Sequence, residues 1–158
     1  MQGTARAARG VVIRAAGPPI PRTALIVGLC AVIPPVWAVL NAQSGAMPLP
    51  GGLGPERVIL AYTALLVCFM GGALWGQSAR ASRPSDQISG AVAAICPVAP
   101  VLFAGIFGWP LFWPLMAGLV IVPAVDALMV WRAAVPGWWV KLRGAMSLIT
   151  LVCLAYFR

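Results

Sequence analysis

The sequence predicts an all-α integral membrane bundle of five transmembrane helices, and three observations predict it. Apolar residues make up 61% of the 158-residue chain and charged residues only 9%, where an ordinary soluble domain carries about a quarter charged residues. The charges fall between long uncharged stretches, of which the longest runs from Gln87 to Val125. The basic residues are also unevenly shared among the connections between those stretches. A water-facing fold has no polar surface of the size needed to cover such a core, and no sustained polar block marks a separate soluble domain.

Residues 1–21 hold Arg6, Arg9 and Arg14, no acid, and the triplet Val11-Val12-Ile13 ahead of a rigid Gly17-Pro18-Pro19-Ile20-Pro21 break. They are expected to form a basic arm lying on an anionic cytoplasmic face. A cleaved import sequence is the rival reading. The first span is expected over about 23–40, where Pro34 and Pro35 each remove a backbone donor and leave freed carbonyls for neighbours to satisfy. A loop rich in Gly and Pro then leads to the second span, about 58–76. No charge falls between Arg57 and Arg80, and a helix across that gap is roughly 30 Å long, the thickness of the hydrocarbon core.

The second span carries the chain's clearest pattern. Ala64, Cys68, Gly72 and Gly76 recur every fourth position, with Gly71 beside them, so one face is expected to let another backbone approach closely. Leu65, Leu66, Phe69, Met70 and Leu74 are assigned to lipid or bulky neighbours on the other side. Tyr62 and Trp75, near its two ends, fit interface anchoring.

The uncharged run from Gln87 is too long for one span and suits two, about 88–107 and 111–131, turning at Gly108-Trp109-Pro110. Pro97 and Pro100 are expected to kink the third span and Pro123 the fourth. A re-entrant hairpin is the rival for this region. Trp109 and Trp113 fall where an aromatic belt is expected, as do Trp138 and Trp139 at the start of the fifth span, about 139–157. Lys141 and Arg143 lie near that start, where long basic side chains snorkel toward headgroups.

Charge fixes the expected threading as N-terminus inside and C-terminus outside. The inside segments then hold Arg6, Arg9, Arg14, Arg22, Arg80, Arg83, Arg132, Lys141 and Arg143, against Arg57 and Arg158 outside, as the positive-inside rule requires. The same scatter argues against nucleic acid, which needs a basic stripe with interleaved aromatics.

Asp126 is the one acid within an apolar span. Unpaired, it would cost a few kcal/mol on the insertion scale. Arg132 is turned about 120° away on the same helix, whereas Arg143 on the next, antiparallel helix lies at a similar depth. Arg143, Ser147 and Thr150 share one helical face, so with Asp126 they form an expected polar seam. Its structural reading, a buried pair that fixes helix packing, is ranked ahead of a proton relay or headgroup pocket. Cys30, Cys68, Cys96 and Cys153 are far apart and read as small core residues, and histidine is absent. No metal or other cofactor is expected, and no paired carboxylate, nucleophile–base pair or phosphate loop suggests an enzyme.

Gly28 with Ile33-Pro34, Ala61-Tyr62, Phe69-Met70-Gly71-Gly72 with Trp75-Gly76, Pro97, Asp126, and Trp139 with Leu142-Arg143 and Leu148 to Thr150 occur in the order found in a known family. By these residues the chain resembles the small multi-span family of unknown function DUF3429, which includes transmembrane protein 69. The resemblance covers roughly Pro21 to Tyr156. The family usually shows Tyr just before the acid of span four and after the first Trp of span five, where this chain has Val125 and Trp139. The resemblance implies a multi-pass protein of the bacterial cytoplasmic (inner) membrane, or alternatively of the mitochondrial inner membrane, and supplies no activity. The expected role is a non-catalytic accessory subunit or assembly factor packing against a larger inner-membrane complex, with membrane lipids, anionic ones at the inner face included, as further partners. The alternative is a small transporter or lipid-binding protein that uses the Asp126 and Arg143 seam.

Overall fold

The computed structural model describes residues 19–45, 52–80, 84–131 and 136–158. Most of the expected N-terminal arm, together with Arg83 and Arg132, lies outside them. The described chain is helical, with no strand among the described residues: α1 (Arg22–Ser44), α2 (Pro55–Ser78), α3 (Pro84–Ile95), α4 (Val98–Phe107), α5 (Phe112–Trp131) and α6 (Gly137–Ala155). Five stretches are long and apolar enough to cross a membrane, α3 and α4 counting together as the third. By length, then, the two spans expected over this run are both present, and neither falls short as a half of the rival re-entrant hairpin would.

Local chemistry sets the helix ends. α1 stops at Gly45, whose left-handed φ of 61° lets its N–H reach back to the Asn41 carbonyl; that conformation is cheap only without a Cβ. α2 opens on Pro55, whose missing N–H costs nothing in a first turn, with Glu56 beside it to favour the positive end of the helix dipole. α4 closes at Gly108 (φ 69°) and its N–H bonds Ala104. This is the turn expected at Gly108-Trp109-Pro110.

Prolines act differently in the three spans that hold them. α1 runs unbroken through Pro34 and Pro35, and α5 through Pro123. The third span, expected only to kink, instead breaks between Ile95 and Val98. Pro97 removes the bond to the Ala93 carbonyl and Pro100 the bond to Cys96, so successive turns lose their ties. α3 lies against α2, and beyond the break α4 turns toward α5 while still touching α2.

α2 is the hub, in contact with all five other helices. Its inner face, Ile59, Val67, Met70 and Leu74, packs with Leu115, Leu119 and Val122 of α5 and with Cys153 and Leu154 of α6. Gly28, in the second turn of α1, lies against Leu142 and Met146 of α6, so these two helices begin at the same end of the bundle. Arg22, Arg80 and Lys141 fall near that end, and Glu56, Arg57 and Arg158 near the other.

Two glycines show how closely the helices approach α2. A Cβ on Gly71 would sit 2.8 Å from the Ala94 carbonyl oxygen and 2.7 Å from Val98, and one on Gly90 would sit 2.1 Å from the Ser78 Cβ. The rest of the small-residue face expected on α2 is not used in this way. Ala64 is half-buried, while Cys68, Gly72 and Gly76 are exposed, and nothing lies within 4 Å of a Cβ built on Gly72 or Gly76. Of the residues assigned to lipid or bulky neighbours, Leu66, Met70 and Leu74 meet the large side chains of the core, while Leu65 and Phe69 are exposed. The physical reason is that both faces of α2 are apolar, so hydrophobicity does not tell bundle from lipid. The cysteines follow the same logic: Cys153 is buried, but Cys30, Cys68 and Cys96 are on the outside rather than in the core.

Candidate functional site

The polar interior lies where α2, α5 and α6 meet, about 8–12 Å in from the helix ends nearest Lys141. Asp126 is wholly buried and Arg143 is 5% exposed. The Arg143 Nη1 donates to Asp126 Oδ1 at 3.1 Å, the one ion pair among the described residues. Its Nη2 donates to the Met70 carbonyl of α2 at 2.8 Å. One guanidinium therefore ties three helices together. Arg143 does not snorkel as its place near the start of the span suggests; Lys141, two residues earlier and so on another face, is the exposed cation.

Trp139 belongs to the same cluster. Its Nε1 donates to Asp126 Oδ1 at 3.2 Å, and the Arg143 guanidinium carbon lies 5.3 Å from the centre of its ring. Beside the expected role of interface anchor, the half-buried ring thus has a hydrogen bond to a buried acid. The signal was present: Trp139 precedes Arg143 by four residues, which places the two on one face of α6. Met70 had no such signal, because its contribution is a backbone carbonyl, with a second lone pair free beyond the helix bond.

Ser147 and Thr150 are also buried on the inner face of α6. The Ser147 hydroxyl lies 3.8 Å from the Met70 sulfur, and Thr150 donates to the Met146 carbonyl one turn back at 2.9 Å. Each is satisfied without joining the ion pair, so the seam is a pair with polar neighbours rather than a continuous chain. Thr63 of α2 is buried as well, and its hydroxyl has no partner among the described residues. Asp126 Oδ2 is likewise buried without a partner, since both donors converge on Oδ1. Chemically, the arrangement can lock three helices, and its open acceptor can take a proton or a donor.

Beside the pair lies a cavity of about 350 Å3 between α1, α2 and α6, walled by Val27, Gly28, Phe69, Met70, Trp139 and Arg143 among others. A shallower groove of about 270 Å3 runs between α2 and the broken third span, past Cys68, Gly72, Trp75, Ala94 and Leu102.

The remaining expected anchors divide. Trp75, Trp109 and Trp113 are exposed and Trp138 is half-buried. Tyr62 is different. Its hydroxyl donates to the Ala31 carbonyl of α1, which is the carbonyl that Pro35, four residues on, leaves without a donor. The phenol thus makes good a bond that a proline removes from the neighbouring helix.

The model of the family described as "Protein of unknown function (DUF3429)" matches residues 20–157. No curated protein and no solved structure matches the chain, and nothing found supports a particular likeness to transmembrane protein 69.

Proposed function

Since the chain belongs to DUF3429, a family of unknown function, we propose its role from geometry: a non-catalytic membrane protein that docks, as accessory subunit or assembly factor, against a larger inner-membrane complex. The observation that carries this reading is the exposed row Cys68, Gly72 and Gly76 on α2, of which Cys68 and Gly72 line the groove beside α3 and α4. Small residues let a neighbouring backbone approach closely, and the bundle uses Gly71 for that purpose while leaving the row beside it free. The buried pair supports the non-catalytic part, because Arg143 is held by a carboxylate and a carbonyl on two other helices. Arg22, Arg80 and Lys141 at one end support a threading with the N-terminus inside. Extraction in mild detergent followed by native pull-down and mass spectrometry tests it. A defined larger assembly is expected, and a strictly monodisperse monomer would contradict it.

A second reading has its own observation. The cavity of about 350 Å3 that reaches Arg143 and Trp139 suits a lipid or small amphiphile, with Asp126 Oδ2 as a site for a proton. On this reading Asp126→Asn abolishes lipid retention or flux while expression is unchanged. Loss of thermal stability alone favours the packing role.

A further inference from the structure

At the opposite end of the bundle from the ion pair, α2, α5 and α6 frame a half-open cavity of about 300 Å3, at the small end of ligand sites. Two opposite charges line it: Glu56 in the first turn of α2, and Arg158 just beyond α6. They do not form an ion pair with each other. Each is held on its own side, Glu56 by the positive end of the α2 dipole and the Arg158 guanidinium over the Trp113 ring, 4.9 Å from its centre. The rest of the wall is largely apolar, with Leu60 one helical turn inward of Glu56 and the buried Leu154 one turn inward of Arg158. A cavity with an acid, a base and an apolar floor, opening where spans meet the headgroup layer, is complementary to a zwitterionic amphiphile.

We propose that this cavity binds a phospholipid whose headgroup carries a phosphate and a primary ammonium. Arg158 takes the phosphate through its forked donors, Glu56 accepts from the ammonium, and the acyl chains leave over the half-buried Leu60, Leu111 and Phe157. A quaternary ammonium offers Glu56 no N–H, and an anionic headgroup without an ammonium leaves that carboxylate facing a like charge. The site is therefore selective for phosphatidylethanolamine over phosphatidylcholine and phosphatidylglycerol.

The test is thermal unfolding of the full chain, purified in detergent and titrated with each of the three lipids. Phosphatidylethanolamine is expected to bind more tightly than the others by up to about fivefold, the most that one exposed ion pair gives. Glu56→Gln, an exposed substitution, removes that preference and leaves lipid-free unfolding close to that of the parent. Arg158→Gln weakens all three lipids. Equal binding of the three lipids, or a preference that survives Glu56→Gln, overturns the proposal. Protection by soluble glycerophosphoethanolamine equal to that by the lipid also overturns it, since the occupant would then be a free zwitterion.

Discussion

The two faces of α2 are alike in composition and opposite in use. The inner face holds Ile59, Thr63, Val67, Met70 and Leu74, all buried against α5 and α6. The outer face holds Leu65, Cys68, Phe69, Gly72 and Trp75, all exposed. Oil-like side chains lie on both, so burial here is not decided by hydrophobicity. What separates the faces is where polar atoms lie. The Met70 carbonyl and the ion pair of α5 and α6 meet inside, because lipid offers them no partner, and the Thr63 hydroxyl is inside as well. In water the apolar residues mark the core; in this bundle the polar ones do.

The largest effect expected on that contrast comes from removing one partner of the buried pair. Arg143→Ala leaves Asp126 with only Trp139, and by analogy with soluble proteins it costs about 3–5 kcal/mol. Chemical unfolding in detergent measures it. The double substitution Asp126→Leu with Arg143→Met is expected to recover most of the loss, because no uncompensated charge remains.

A sharper contrast uses two adjacent glycines. Gly71→Ala forces a methyl against the Ala94 carbonyl oxygen, 2.8 Å away, where backbone must shift, and such overpacking costs about 1–3 kcal/mol. Gly72→Ala meets nothing within 4 Å, so improved helix propensity leaves it neutral or stabilised by up to about 1 kcal/mol. Equal effects in the same unfolding assay would erase the difference between the two faces.

The smallest effect is expected at Tyr62. Tyr62→Phe keeps the ring and loses the donor to the Ala31 carbonyl. Hydrogen bonds between membrane helices average about 0.6 kcal/mol, so a shift of that order is expected. Faster hydrogen exchange in α1 near Pro35 would accompany it.

These contrasts also show what the residues revealed in advance. The spans were legible because charges bound them and Gly108-Trp109-Pro110 interrupts the longest run. Asp126 and Arg143 were legible as a pair because counting from helix ends gives depth, and depth limits which side chains meet. The direction of the small-residue row was not legible, since Cys68 and Gly72 meet no penalty in lipid. Nor was the task of Tyr62, and that of Trp139 was signalled only by its four-residue spacing from Arg143. An aromatic near a span end fits the surface and a polar partner equally well, and only the neighbouring helix tells whether a freed carbonyl or a carboxylate is within reach. The break at Pro97 exceeded the expected kink because Pro100 removes the next tie as well.

The outer face of α2 as a docking surface is tested most directly by native-gel migration of detergent extracts carrying Gly72→Leu. The substitution fills open space on the outer face and leaves the inner face untouched. The docking reading predicts that the parent migrates in a defined larger assembly, while the variant migrates as a folded free bundle with a melting temperature at or above the parent's. A variant that stays in the assembly, unchanged in stability and migration, would contradict it.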